Sequence, residues 1–355
     1  MPAMLSRLLH AILPLVLACC VSGAARPLPL PDLDPARRGS LLAWLQANGR
    51  APENYVLARF ETKDVVCLGE YHRIRHDVEF VQEVIRRMPA AGVEVFAWEA
   101  DRARPAGTPT LRVLGMGDSP DWSLIRRPED WDNGAIRRAV WRGGGERFWA
   151  QAILKEVERG RKVLVHCGIH HAFSAFGQPI VVDGRFVRFE DDRMGQHLRA
   201  ALGDRVATIS LHAPWPGRAG YDADDVRPVE GVIDALLAQL PPDRRRFAFH
   251  TRGTPLGELP ARDAVYSQGG EAFTLADFCD GYVVLAAFDD FKGVRVIPGF
   301  INKGNLERAR LGMPNPLCRT WSAGKLMRDM ARDADASRFH PLRAKGAPVA
   351  RTAQP

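Results

Sequence analysis

The chain has 355 residues, 46% hydrophobic and 26% charged, a composition that excludes a disulfide-stapled miniprotein, a collagen-like chain and a wholly disordered one. Past the first 25 residues no apolar run reaches the roughly 20 residues that cross a bilayer, which excludes a polytopic membrane protein. The formal charge of +7 gathers partly in a basic tail and leaves the body near neutral, which argues against nucleic acid as a partner.

The chain opens like an export signal. Arg7 supplies a short positive region, Leu8 to Val21 is apolar, and Ser22, Gly23, Ala24 and Ala25 are small. Residues 1–24 are read as a signal segment, and the protein as exported to a periplasm or secreted. Val16-Leu17-Ala18-Cys19 also resembles a lipobox, which would make Cys19 a lipid anchor. Membrane attachment is expected only through that segment. Residues 25–37, with Pro27, Pro29, Pro31 and Pro35, read as a linker. Residues 38–335 read as a single domain, and 336–355 as a disordered basic tail.

Within the domain, helical patterns at 38–48 and 52–61 precede Val65-Val66-Cys67-Leu68, a short buried strand. The next helix places Ile74, Val78, Val81, Ile85 and Met88 on one face. Strands follow at 93–98 and 111–116. Residues 118–145 are rich in Trp, Asp and Gly and less regular. A helix at 146–159 leads to a strand at 162–168, and a hairpin over 179–189 turns at Asp183-Gly184. Later strands are expected at 206–211, 247–249 and 282–287, with helices at 192–202, 230–240, 300–311 and 321–333. Strands alternating with helices predict an α/β fold, a mostly parallel central sheet flanked by helices. Cys67 and Cys167 read as core residues, and spacing alone leaves open whether Cys279 and Cys318 pair.

In such sheets, sites form at the carboxyl ends of strands. The first strand ends in Gly69-Glu70-Tyr71-His72, the second in Glu99, the third in Asp118 and the fourth in Gly168-Ile169-His170-His171. If these strands are parallel neighbours, Glu70, His72, Glu99, Asp118 and His171 converge on one rim. Glu70 and His72 precede a helix whose free N–H groups favour an ionised Glu70 and a neutral His72. A neutral imidazole can take a proton from water. His170 and His171, adjacent at a strand end, should point to opposite sides. Arg147 opens a helix after Gly143-Gly144-Gly145, where a guanidinium could clamp a carboxylate or an oxyanion. His166, inside its strand, reads as a core histidine. His212 and His250 end two further strands and are weaker candidates.

These residues resemble a superfamily that includes erythromycin-esterase-type hydrolases, ChaN-type haem-binding lipoproteins and the Tiki/TraB proteins. The shared features are a strand ending in Gly-x-x-His, here Gly69-Glu70-Tyr71-His72, and a strand-end glutamate, here Glu99. An arginine then opens a helix, here Arg147-Phe148-Trp149-Ala150, and a second Gly-x-x-His follows, here Gly168-Ile169-His170-His171. The second motif selects His171 over His170. Gly117-Asp118, Met194-Gly195-Gln196-His197-Leu198 and Phe278-Cys279-Asp280-Gly281-Tyr282 are similar to other parts of the esterase group.

The expected function is an exported hydrolase in which activated water attacks an ester or amide of a small-molecule substrate. His72 is the expected base and Glu70 orients it. His171 and Arg147 stabilise the oxyanion, while Glu99, Asp118 and Tyr71 hold these cations or contact substrate. No Gly-x-Ser-x-Gly is present, so no serine nucleophile is implied. One alternative adds a divalent metal on His72, His171 and Glu99. Another is a haem- or iron-binding lipoprotein with Tyr71 or a histidine as axial ligand. The reading of the N-terminus predicts mature protein beginning near Ala25 or at a lipidated Cys19. Mass measurement of protein recovered from its host checks this, and an intact Met1 would refute export.

Overall fold

The computed structural model describes residues 30–99, 111–115, 121–127, 129–130, 133–140, 145–220, 225–270, 272–313 and 316–334. They belong to one compact unit, Leu30–Pro341. The expectations for residues 1–24, for Cys19, for Asp118 and for the tail from 336 lie outside the described residues.

Helix α1 (Pro35–Asn48) and helix α2 (Pro52–Arg59) lead into strand β1 (Val65–Glu70) and helix α3 (Arg75–Arg87). Then come β2 (Val95–Trp98), β3 (Arg112–Gly115), α4 (Gly134–Val140), α5 (Glu146–Glu158) and β4 (Val163–Gly168). One turn of helix, α6 (Ile169–Ala172), precedes the hairpin β5 (Pro179–Val182) and β6 (Arg185–Phe189). The chain continues through α7 (Met194–Leu202), β7 (Val206–Leu211), β8 (Trp215–Pro216), β9 (Asp225–Val226) and α8 (Val232–Leu237). It closes with β10 (Phe247–His250), α9 (Leu275–Phe278), β11 (Gly281–Val284), α10 (Leu306–Leu311) and α11 (Ala323–Asp333).

The central sheet has seven strands in the order β10-β11-β7-β1-β4-β2-β3. Every neighbouring pair is parallel except β10 with β11. The expected α/β architecture is therefore present. Alternation along the strands divides the core into two layers. Val65, Cys67, Val163 and Val165 face one layer with Leu41 and Leu45 of α1, Ile153 of α5 and Leu198 of α7. Val66, Leu68 and Leu164 face the other with Val56 of α2 and Val81, Val84 and Ile85 of α3. All six residues of β1 and of β4 are buried, as expected of strands covered on both faces.

This layering locates the site. The chain leaves β1 towards α3 on one face and leaves β4 towards α6 and α7 on the other. The two strands are neighbours, so their carboxyl ends flank the point where the connections part. Open α/β sheets form their ligand crevices there.

Several element bounds differ from the sequence reading, and the cysteine pairing it left open is decided. Helix α1 starts at Pro35 rather than 38, because Asp34 caps it and proline suits a first turn. The antiparallel β10 puts its end, His250, at the opposite edge of the sheet from the β1 and β4 ends, beside the Tyr55 hydroxyl at 3.3 Å. Cys279 and Cys318 are free, and each is buried in a different cluster.

The β1 and β4 ends approach closely because both carry glycine. A Cβ on Gly69 would stand 2.2 Å from Ile169 Cδ1 and 2.9 Å from Ile169 Cα. A Cβ on Gly168 would stand 3.1 Å from His72 Nε2. Overpacking of this kind costs about 1–3 kcal/mol. Gly69→Ala should therefore lower the urea midpoint clearly, and Gly168→Ala, which meets mainly a movable ring, should lower it less. Equal midpoints for Gly69→Ala and wild type would show that the strand ends part freely.

Candidate active site

β1 carries Glu70 to the rim, and the turn after it presents His72. Glu70 is buried, whereas the His72 side chain is 56% exposed. His72 Nδ1 lies 2.8 Å from Glu70 Oε1, the distance of a charge-assisted hydrogen bond. The other oxygen, Glu70 Oε2, lies 3.0 Å from His166 Nε2. His166 is buried within β4 and stacks on Phe96. So each Glu70 oxygen faces an imidazole, hydrogen-bonded at His72 and in ion-pair contact without an aligned hydrogen bond at His166.

Glu99 follows β2, which pairs with β4 on the side away from β1. Its Oε2 accepts the Gly168 N–H at 2.7 Å. Its Oε1 faces His72 Nε2 at 3.9 Å and His171 Nε2 at 3.4 Å. The longer gap exceeds a direct hydrogen bond, so His72 Nε2 is not committed to Glu99.

The strand reading of His170 and His171 is replaced by one turn of helix, α6. His170 turns inward, 3.0 Å from the Tyr266 hydroxyl. His171 faces the rim, with Nδ1 2.6 Å from Glu146 Oε1 and its ring edge-on to Trp149. Glu146 also accepts the Met194 N–H at 2.8 Å and an Arg193 N–H at 3.2 Å. Gly145, at φ 113°, provides the backbone conformation that turns the chain into α5 at Glu146.

The result is a continuous alternation of imidazole and carboxylate: His166, Glu70, His72, Glu99, His171, Glu146, ending on Arg193. Of the expected residues, Glu70, His72, Glu99 and His171 come together. Tyr71 sits between Glu70 and His72 in the chain and is half-buried. Arg147 does not join the alternation. It is exposed on α5 and makes no hydrogen bond or ion pair with another described residue. Two members were missed. Glu146 shares the buried face of α5 with Trp149, Ala150 and Ile153, a spacing of three, four and seven that marks the inward side. His166 was assigned to the core, yet its Cα partner in β1 is Leu68, which shares a face with Glu70.

The electrostatics follow from this order. Burial works to raise the Glu70 carboxyl, but His166 and then His72 outweigh it and hold it well below the carboxylate range. Burial likewise opposes ionisation of Glu99, but the His171 hydrogen bond and charge, then His72 and the Gly168 N–H, bring it down to about 2. His171 is raised to about 9: burial works against its charge, and Glu146 and Glu99 overcome that. His72 is raised as well, chiefly by its hydrogen bond to Glu70. The expectation that the helix start lowers the basicity of His72 is thus not met; its basicity is raised instead. The helix begins at Arg75, and the adjacent carboxylates decide. His170, buried near Arg193, falls to about 3 and stays neutral.

Among the described residues, no group of three or more His, Cys, Asp and Glu is arranged to hold a metal ion. His171 has both ring nitrogens facing carboxylates, which suits a protonated ring rather than a metal ligand. The residues present do not fit the metal alternative.

Fold and site together define an α/β protein with an imidazole–carboxylate rim at its topological switch point. No protein-family model matches the chain, and a search of the curated proteins finds no match. Among solved structures, one similar chain is a protein from Bacillus cereus, 11% identical, with a TM-score of 0.41, covering 70% of this chain and 97% of that one. Another is described as a succinoglycan biosynthesis protein, 10% identical, with a TM-score of 0.44, covering 71% and 98%. Likeness at this level carries no functional argument.

The shifted groups imply a stability profile with two limbs. Glu99, depressed from an ordinary 4.5 to about 2, contributes stability above about 4.5 that is lost as pH falls towards 2. His171, raised from 6.5 to about 9, contributes stability below about 6.5 that is lost as pH rises towards 9. Urea midpoints measured across pH should show both limbs, and Glu146→Gln should flatten the alkaline one. An unchanged alkaline limb in that variant would remove Glu146 as the holder of the His171 proton.

Proposed function

We propose that the protein is a hydrolase in which His72 activates water against an ester or amide carbonyl. The observation that carries this reading is the state of His72: Nδ1 is committed to Glu70, while Nε2 is open on an exposed ring. That is the arrangement of a general base held by a carboxylate. His72 Nε2 takes a proton as the water oxygen bonds to the carbonyl carbon. His171, kept protonated by Glu146 and Glu99, faces the same space and stabilises the charge that develops on the carbonyl oxygen. The proton on His72 then goes to the leaving oxygen or nitrogen as its bond to carbon breaks. Glu99 holds the two rings in register. Arg147, exposed one residue after Glu146, remains in reach of solvent as a contact for an anionic part of the substrate. Asp118 and Tyr71 stay proposals as substrate contacts.

The test is a panel of chromogenic esters and anilides assayed with wild type and His72→Ala. Loss of the base should cost about 10²–10⁴-fold in rate, with circular dichroism unchanged. Activity should fall on the acid side as His72 takes a proton, with a midpoint above the ordinary imidazole value of 6.5 because Glu70 stabilises the cation. Added haemin should produce no Soret shift, and metal analysis no stoichiometric ion. A folded His72→Ala protein with full activity would exclude this mechanism, and a stoichiometric haem band would favour the haem-binding alternative.

A further inference from the structure

We propose that His166 is a positioning residue for the proposed base: it occupies the inner oxygen of Glu70, so that the outer oxygen holds the Nδ1 proton of His72. The inference rests on His72 as the base, but its test reads a proton position and needs no turnover.

The case begins with the strand. In β4 the neighbours of His166 are Val163, Leu164, Val165 and Cys167, all buried and apolar or nearly so. An imidazole among them loses its hydration and is costly unless it finds a polar partner. Register brings a carboxylate to ion-pair distance, although the N–H is not aligned as a hydrogen bond. His166 pairs with Leu68 across the parallel ladder, and Glu70 stands two residues further on the same face. Its carboxylate reaches back to His166 Nε2 at 3.0 Å and forward to His72 Nδ1 at 2.8 Å. Phe96 stacks on the His166 ring and confines its plane.

A buried carboxylate with an imidazole nitrogen close to each oxygen, hydrogen-bonded at His72 and in ion-pair contact at His166, cannot rotate without moving away from one. Oε2 makes no aligned hydrogen bond, so the nearby His166 ring is what faces its charge; without His166 that buried charge would have no polar group at contact distance on its inner side. Two relaxations are open. Glu70 can bind a proton, because burial already pushes it that way and His166 is the leading opposing influence. It can also swing towards Asp77, buried in the first turn of α3 on the same side of the sheet. Either change weakens the grip on the His72 proton. The groups facing this pair are few. Glu70 meets His166 from β4, His72 from its own turn and the field of Asp77 from α3. His72 meets Glu99 from the end of β2 and His171 from α6.

The alternative is a histidine that merely fills space against Phe96. Imidazole ¹H–¹⁵N NMR of the full chain separates the two, with the His72 signal assigned by its loss in His72→Ala. The measurement is the ratio of Nδ1–H to Nε2–H tautomers of neutral His72. In wild type the Nδ1–H form should predominate, and a predominant Nε2–H form would overturn the proposal outright. His166→Leu should lower the ratio about tenfold, the size expected for losing a charge-assisted hydrogen bond. A folded His166→Leu protein with the wild-type ratio would also overturn it. If that variant does not fold, His166→Gln and His166→Asn decide. A glutamine amide nitrogen reaches the Nε2 position and should keep the ratio within about twofold. An asparagine amide nitrogen stands at the Nδ1 position and should lower it as leucine does. Equal ratios for these two would refute the role. Failure to find any cleavable ester or amide would count against the hydrolase reading and leave this ratio test standing.

Discussion

Three glutamates within one crevice must not face one another directly, and the rim is organised around that constraint. Like charges in a partly buried setting repel strongly unless cations stand between them. Here His72 stands between Glu70 and Glu99, and His171 between Glu99 and Glu146. Arg193 closes the outer end. Deprotonating His171 would leave two carboxylates separated by a neutral ring, which is why its proton is held to about 9. His72 has a single close carboxylate, a longer gap to Glu99 and more solvent. The two imidazoles are chemically similar, yet their surroundings push them towards the roles of base and cation.

The backbone makes room for this crowding. Gly69 lets β1 lie against Ile169, and Gly168 lets the His72 ring lie against the end of β4. The Gly168 N–H also fixes Glu99. In each Gly-x-x-His motif, then, the glycine acts on the opposite motif rather than on its own histidine. Gly69 accommodates the residue after Gly168, and Gly168 accommodates His72. The pair of motifs is one interlocked unit, although about a hundred residues separate them along the chain.

Much of the fold was legible because local signals agreed. Continuous apolar runs marked β1 and β4, and Asp183-Gly184 marked the hairpin between β5 and β6. Strand ends bearing Glu70, Glu99 and His171 were legible as a rim for the same reason. Strand order was not. β4 inserts between β1 and β2, a long-range pairing that no short window of residues encodes. Without that register His166 could not be matched to Glu70, and it was read as core. The antiparallel direction of β10 is equally hidden in sequence, and it takes His250, a weaker candidate there, away from the rim. Glu146 was within reach, since its spacing to Trp149 and Ile153 marks the buried side of α5. The neighbouring arginine drew the functional reading instead.

The interleaving of β1, β4 and β2 also bears on how the protein comes to be active. The rim draws on residues 70–72, 99, 146, 166–171 and 193, so it spans more than a third of the chain. β1 cannot acquire its β4 neighbour until the whole stretch between them has been synthesised. Contacts of such sequence separation are slow to form, because loop closure must be completed before they stabilise anything. A nascent chain that has not reached β4 therefore has Glu70 and His72 but not His166 or His171. Assembly of the crevice waits on the pairing of β1 with β4, and an amino-terminal fragment ending before β4 would contain only half of the motif pair.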